Sequence, residues 1–403
     1  MKRLKKALAV LSAAAMFVIS APVAGIFAAE TEPEDPGPVY TDGLLYINHF
    51  TYASVNDCGP GDRTEITVLD EFEGLPVTVV DYVCFSDCNT IKKVNLPETI
   101  TSIDGYSFKN CSSLESINIP KSVNNISEAA FMGCSSLDNI VVPDGITEIK
   151  YSTFSWCTSL KNITLPDSIK TIKDYAFVNC SSLEDFKLPP NVKTVSSLVF
   201  NGCTKLNNLE IPASTDYLGR YTFSQCDTIT KMTIPAAVGT VSGRIFYDCE
   251  NLADVTIEEG ITSIGESAFF ACDSLKSLYI PASVTRIDVY SVGYTYDDVT
   301  PGGVKLIEGF SIKGEPGSAA EAYAKENGIK FNDGEVPGGN DPVYGDVNLD
   351  GVVTGSDVIV FMSHFLWTEK KLTGDALVNA DVTRDDQVDI TDLATLKMIV
   401  INS

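Results

Sequence analysis

The stretch Ile126-Ser-Glu-Ala-Ala-Phe131-Met-Gly-Cys134-Ser-Ser-Leu137-Asp-Asn-Ile140-Val-Val142-Pro143 decides the fold, because it recurs in both directions at one constant step, the step from Cys111 to Cys134. Cys88, Cys111, Cys134, Cys157, Cys180, Cys203, Cys226, Cys249 and Cys272 form one column at that step. Phe85, Phe108, Phe131, Phe154, Phe177, Phe200, Phe223, Phe246 and Phe269 form a second, three positions earlier. Leu or Ile falls three after each cysteine, as at Leu114, Leu137 and Leu160, and apolar residues fall six and eight after, as at Ile117 and Ile119. Proline falls nine after, at Pro97, Pro120, Pro143, Pro166, Pro189, Pro212, Pro235 and Pro281, with Glu258 the one departure. Ile103, Ile126, Ile149 and Ile172 mark a further apolar column.

The alternation at Ile117 and Ile119 reads as a short strand, stopped by a proline that lacks a ladder donor. A second extended piece surrounds Val123 and Ile126, and the turn after it carries Phe131 and Cys134 inward. One unit cannot bury these residues alone. Stacked units can, and each column then becomes a continuous internal rib. With neighbouring strands ~4.8 Å apart, nine coils extend roughly 40 Å.

The units resemble the BspA-like bacterial leucine-rich repeats, whose unit is similar to Ile-x-x-x-x-Phe-x-x-Cys-x-x-Leu-x-x-Ile-x-Ile-Pro. The resemblance covers about Val77 to Phe331 and implies a leucine-rich-repeat β-solenoid of the β-rich α/β class. Gly317 to Phe331 looks like the family's C-terminal cap, a short helix ended by Asn327-Gly328 and followed by a last strand. Thr41 to Val77 reads as a hairpin-like N-terminal cap. Tyr290 to Val304 breaks the pattern and has no place in it.

The cysteine column lies in a line with no histidine among it, which does not suit a metal. Parallel side chains ~4.8 Å apart are also too far apart at Cβ for disulfides. A buried free-thiol rib is the reading preferred. Cys58 and Cys84 lie off the ladder. Cys84 fills the small-residue slot of Ala130 and Ala176, so packing explains it; a Cys58–Cys84 bond is the alternative.

Beyond a Gly- and Pro-rich stretch the period ends. Asp346-Val-Asn348-Leu-Asp350-Gly-Val352-Val-Thr354-Gly-Ser-Asp357 and Asp381-Val-Thr383-Arg-Asp385-Asp-Gln387-Val-Asp389-Ile-Thr-Asp392 each place oxygen side chains at positions 1, 3, 5, 9 and 12 of a twelve-residue loop. Val352 and Gln387, at position 7, would add backbone carbonyls. This is the spacing that wraps hard oxygen ligands around Ca²⁺. Asp at position 12, the separation of the loop starts at Asp346 and Asp381, and an apolar helix after each loop (Val358–Trp367 and Leu393–Ile401) resemble a type I dockerin, over about Val343 to Ser403.

That resemblance implies a small all-α, EF-hand-like module with two Ca²⁺ ions, docking onto a cohesin domain of a scaffoldin in a cellulosome. Cohesin-contact positions carried over from it fall at Gly355-Ser356, Met362-Ser363, Ile390-Thr391 and Lys397-Met398. They differ from the Ser-Thr pairs common in the family. Thr383 at position 3 and Asp386 at position 6 depart from the pattern, so weaker binding is expected at the second loop.

The start of the chain, Met1-Lys2-Arg3-Leu4-Lys5-Lys6 followed by an apolar run and small residues to Ala29, reads as a secretory signal peptide. Removing its four cations takes the net charge from −25 to about −29, which argues against nucleic acid and anionic membranes as partners. The expected order is signal peptide 1–29, acidic Pro-rich linker 30–40, N-terminal cap 41–79, repeats 80–289, irregular segment and cap 290–332, linker 333–342 and dockerin 343–403.

Catalytic patterns are missing: there is no H-E-x-x-H, no G-x-S-x-G and no Gly-rich phosphate loop, and His49 and His364 are the two histidines. Glu258-Glu259 reads as a solvated turn, although sequence leaves open a carboxylate dyad across coils. The expected function is therefore non-catalytic binding or adhesion. Solvent-facing strand residues (Lys92, Lys93, Glu115, Asn118, Lys161, Glu184, Asp185, Asn207, Lys231, Asp254) suit protein contact. Tyr82, Tyr106, Tyr151, Tyr175 and Tyr221 cluster in one turn. Padding of the coil edge is the preferred reading for them, and a ridge for a polysaccharide is the alternative.

Overall fold

A chain whose apolar columns recur at a constant step must wind so that equivalent residues lie above one another. The computed structural model describes residues 39–333 apart from 42, 58–62, 208, 298 and 300–302, and beyond them Val347, Val358, Phe361, Met362, Ala380, Val382, Val388 and 392–397. The repeats form a β-solenoid of about 12 coils, more than the nine counted from the cysteines, because cap strands continue the stack at both ends. Asn139 pairs with Asn162, Thr171 with Thr194, and Lys231 with Asp254, all in parallel and each one full repeat apart.

The ends are closed. Leu44–Asn48 and Ala53–Asp57 form an antiparallel hairpin, and Ala53–Asp57 joins Leu75–Val80 in parallel. At the other end the helix Ala319–Asn327 starts on Ser318, whose side chain accepts from the Glu321 amide, and stops at Gly328 in the left-handed region (φ 66°). Its buried Ala320, Tyr323 and Ala324 face the stack. Lys330–Asp333 then pairs with Ser311–Gly314. The stretch that the repeat pattern left unplaced holds an antiparallel hairpin, Tyr294–Tyr296 with Val304–Leu306. This insertion lengthens one step of the stack, so that Ser277 pairs with Ser311, well beyond one ordinary repeat.

The nine ladder phenylalanines are fully buried and stack ring on ring, with centroids 5.0–5.8 Å apart and planes within 15°. Beside them the thiols do more than fill space. Each from Cys111 to Cys272 donates its S–H to the ladder phenylalanine carbonyl of the preceding coil, Cys111 to Phe85 and so on, at 2.9–3.2 Å. The Phe108 and Phe131 carbonyls, for example, also accept the amides of Cys111 and Cys134 in their own coils. Two donors from successive coils thus converge on one buried acceptor, which leaves no lone pair stranded.

Two cysteines depart from expectation. Cys88, at the start of the ladder, is disulfide-bonded rather than free. Cys84 is buried and free, so the Cys58–Cys84 bond does not form; Cys58 lies outside the described residues. The strand ladder also opens where Phe186 takes an Ile slot. Its ring packs edge-on against Phe177 and Phe200, at 5.4 and 4.9 Å, and no strand forms at residues 185–187.

Phe154→Ala should cost roughly 3–5 kcal/mol, because rings on both sides cannot close the cavity. Tyr151→Ala, whose ring is 48% exposed, should cost less than about 1 kcal/mol. Urea unfolding of both variants checks this, and equal losses would mean the faces are misassigned.

A second expectation concerns pH. Burial pushes the Cys111, Cys157 and Cys249 thiols up to about 12, and the same cause raises Cys134, Cys180, Cys226 and Cys272. An unfolded thiol ionises near ~8.5. Above that pH the unfolded chain sheds protons that the folded chain keeps. The thiol contribution is therefore full below ~8.5 and lost as pH rises toward the folded values, by about 1.4 kcal/mol per pH unit per thiol. Unfolding should be insensitive to pH near neutrality and cooperative above ~9, with thiolate absorbance appearing together with the loss of circular dichroism. Thiolate absorbance in the folded state would show that the rib is wet.

Candidate functional site

The surfaces differ in chemistry. On the strand face, side chains pair across coils: Lys92 with Glu115 at 3.0 Å, Lys93 with Glu65 at 2.8 Å, and Lys205 with Glu184 at 3.7 Å. These exposed pairs stabilise little, but they give the face alternating charge. Of the residues expected to face solvent here, Glu184 and Asn207 are half-buried and the other eight are exposed. Near the opened ladder a shallow cleft of about 340 Å³ has Leu209 and Met232 at its base and Glu210, Lys231 and Asp254 around it.

On the turn face, each coil carries two residues with positive φ, one five positions before the cysteine and one immediately before it, as at Tyr106 (57°) and Asn110 (56°) or Tyr175 (62°) and Asn179 (58°). The expected tyrosines meet there in pairs: Tyr82 on Tyr106 at 5.6 Å and Tyr151 on Tyr175 at 5.4 Å, both edge to face. The Arg244 guanidinium lies over Tyr221, donates to its hydroxyl and pairs with Glu266. The columns were visible in the sequence, but the left-handed backbone under them was not, since tyrosine does not signal it.

The remaining reactive groups have structural roles. Glu258 accepts the Ala236 amide of the coil before it at 2.8 Å, and Glu259 accepts the Ser283 amide of the coil after it at 2.9 Å. The pair is exposed at a turn, as expected, and it also braces neighbouring coils. In the N-terminal cap His49 Nε2 lies 3.0 Å from Ser54 Oγ, and Ser54 donates to Asp81. Ser54 is fully buried and sits between the base and the acid, so its oxygen is not presented to a substrate. Loss of solvent around Asp81 raises its pKa against these hydrogen bonds.

In the C-terminal segment Val347, Phe361, Ala380, Leu393 and Leu396 form a separate apolar cluster, with Val358, Met362, Val382 and Val388 against it. Val347 and Val382, Val358 and Leu393, and Phe361 and Leu396 are each separated by the same interval as the loop starts Asp346 and Asp381, so the two halves contribute equivalent positions to one core. Asp392, position 12 of the second loop, is fully buried where the helical residues 392–397 begin. A buried carboxylate closing a loop of oxygen donors fits a hard cation. The other eleven proposed ligands, Asp346, Asn348, Asp350, Val352, Thr354, Asp357, Asp381, Thr383, Asp385, Gln387 and Asp389, lie outside the described residues. Of the cohesin-contact candidates, Lys397 is exposed and Met362 is half-buried on the core. Ser356, Ser363, Thr391 and Met398 lie outside the described residues.

Fold and site together define a leucine-rich-repeat solenoid that carries an EF-hand-like docking module. The family model of the BspA type leucine rich repeat region matches residues 78–206 and 170–296, in six copies. The chain belongs to that family. A type I dockerin domain model matches residues 344–400. No curated protein matches the chain. Among solved structures it is similar to a leucine rich cell surface protein from Faecalibacterium prausnitzii (22% identity over 74% of this chain and 96% of that one, TM-score 0.43). It is also similar to a leucine-rich repeat protein from Bacteroides ovatus (22%, 73% and 99%, 0.41) and to the pneumococcal vaccine antigen PcpA (16%, 74% and 99%, 0.38).

Both modules are of a non-catalytic, protein-interaction kind, and a type I dockerin implies calcium and a cohesin partner. Proteins with these modules are typically extracellular or at the cell surface. Among the described residues no helix is long and apolar enough to cross a membrane.

Proposed function

We propose that the chain is exported and that residues 343–403 fasten it to a cohesin-bearing scaffoldin of a polysaccharide-degrading complex, while the solenoid stays free to hold a second partner. The observation that carries this reading is the dockerin match at 344–400 beside a repeat domain whose thiols, His49, Ser54 and Glu258-Glu259 all serve packing or bracing. Glycoside hydrolysis, common among dockerin-bearing chains, is the alternative reading; the adjacent acids Glu258 and Glu259 accept backbone amides of neighbouring coils instead.

Two Ca²⁺ ions would be held by Asp346, Asn348, Asp350, Val352, Thr354 and Asp357 in one loop and by Asp381, Thr383, Asp385, Gln387, Asp389 and Asp392 in the other, with Val352 and Gln387 contributing backbone carbonyls. The metal supplies positive charge that offsets the repulsion among bunched carboxylates. The chain's own apolar pairs, such as Phe361 with Leu396, then bring the two halves together. Ser356, Met362, Ser363, Thr391, Lys397 and Met398 lie on the segments that would meet the cohesin.

Calorimetric titration of the full chain should register two Ca²⁺ ions, the second weaker, and a cohesin pull-down should fail in EDTA. Asp346→Ala with Asp350→Ala should abolish the pull-down. Equal capture with and without Ca²⁺ would sink the reading. Deleting 343–403 should remove the chain from the complex and leave thermal unfolding of the solenoid unchanged, since the two apolar clusters share no residue.

A further inference from the structure

The solenoid sorts its aromatic side chains. In the nine ladder coils the outward positions of the strand face are filled largely by lysine, glutamate, asparagine and threonine, with Tyr279 the single aromatic. The turn face carries Tyr82 at 61%, Trp156 at 52% and Tyr151 at 48% exposure, while Tyr217, also at 48%, lies on a strand and Phe50 in the N-terminal cap.

Tyr82 and Tyr151 occupy the same slot three coils apart, as do Tyr106 and Tyr175, so two edge-to-face tyrosine pairs stand ~14 Å apart along the axis. Three coils further on, the same two slots hold Arg220 and Arg244, which share Glu266 at 3.7 and 2.6 Å. Between the two tyrosine pairs the equivalent sites are small or polar, Gly105, Glu128, Ala129 and Ser152, while beyond the second pair Leu198 and Tyr221 follow Tyr175 in its slot.

The rings are also held against conformational cost. Tyr106, Tyr175, Tyr221 and Trp156 have φ of 57°, 62°, 57° and 63°, each at a cost that glycine would avoid and asparagine would reduce. In the column of Trp156, Asp87, Asn110, Gly133, Asn179, Gly202 and Asp248 are residues that this backbone prefers, and Gln225 and Ala271 are not. A tryptophan there is strained and exposed at once, and strain of that kind marks what a surface presents.

A protein interface gathers its rings into one contiguous apolar core. Exposed rings spaced along the axis with small and polar side chains between them suit a linear polymer whose units each offer an apolar C–H face and a hydroxylated edge. We propose that the turn face binds an extended polysaccharide, with pyranose rings stacking on Tyr82, Tyr151 and Trp156 and hydroxyls meeting the polar side chains between them. This site is independent of the dockerin reading.

Native affinity electrophoresis of the full chain in gels containing soluble xylan, glucomannan or polygalacturonate tests it. Tyr82→Ser/Tyr151→Ser/Trp156→Asn runs beside the parent, with Lys92→Ser/Glu115→Ser as the strand-face control. At least one glycan should retard parent and control alike, and the triple variant should bind about tenfold more weakly or worse. Retardation by a neutral glycan supports stacking alone. Retardation by polygalacturonate that also falls in Arg220→Gln supports an acidic chain read by the arginines. A parent that no glycan retards, or a triple variant retarded as strongly as its parent, overturns the proposal.

Should the triple variant unfold early, Trp367→Phe leaves Trp156 as the one tryptophan of the chain. Its emission should shift to the blue and lose access to acrylamide when the retarding glycan is added. Emission that ignores the glycan overturns the proposal as well.

Discussion

The hydrogen bond from each ladder thiol to the phenylalanine carbonyl of the preceding coil is the constraint on which the stack depends. It couples a buried donor to a buried acceptor more than a full repeat away in sequence, and a coil longer or shorter by a single position would leave the thiol unpaired and the carbonyl one partner short in a dry core. Cysteine suits the slot because it is small, apolar enough to be buried and still able to donate. Serine would bring a stronger donor at a larger desolvation cost, and alanine would leave the carbonyl one partner short. The ring stack beside the thiols follows from the same register. From Phe85 to Phe269 it runs without a slip, and the one inserted hairpin, Tyr294 to Leu306, comes after the last thiol at Cys272.

With the interior committed in this way, the outside is free to differ by face. Strand residues emerge at alternate positions in register, so charged neighbours meet across coils and neutralise one another, as at Lys92 and Glu115. The turn is tighter. It needs two left-handed residues per coil, and the side chains there fan outward. A face of paired charges and a face that carries paired tyrosines therefore coexist on one scaffold.

The C-terminal module uses internal symmetry for a different purpose. One half holds too few apolar residues to bury a core. The two halves together supply Val347 and Val382, Val358 and Leu393, and Phe361 and Leu396 to a shared one. Asp392, position 12 of the second loop, is buried, so that end of the loop lies close to the shared core.

The period, the inward columns and the oxygen spacing of the C-terminal loops were all legible in the chain itself. A residue type repeated at a constant step can satisfy burial only by stacking, and six oxygen donors at fixed offsets suit a hard cation better than other partners. Four features were not legible. They are the disulfide at Cys88, the opening of the ladder at Phe186, the brace formed by Glu258-Glu259, and the left-handed backbone that presents Tyr106, Tyr175 and Trp156. The last three depend on what the neighbouring coil offers at one point: two rings to pack against, a free amide, a turn too tight for ordinary φ. Periodicity states which residues are equivalent, and it was enough to determine the solenoid. Only the tertiary structure could decide where equivalents meet different surroundings, because hydrogen bonds and ring contacts are satisfied locally and one coil at a time.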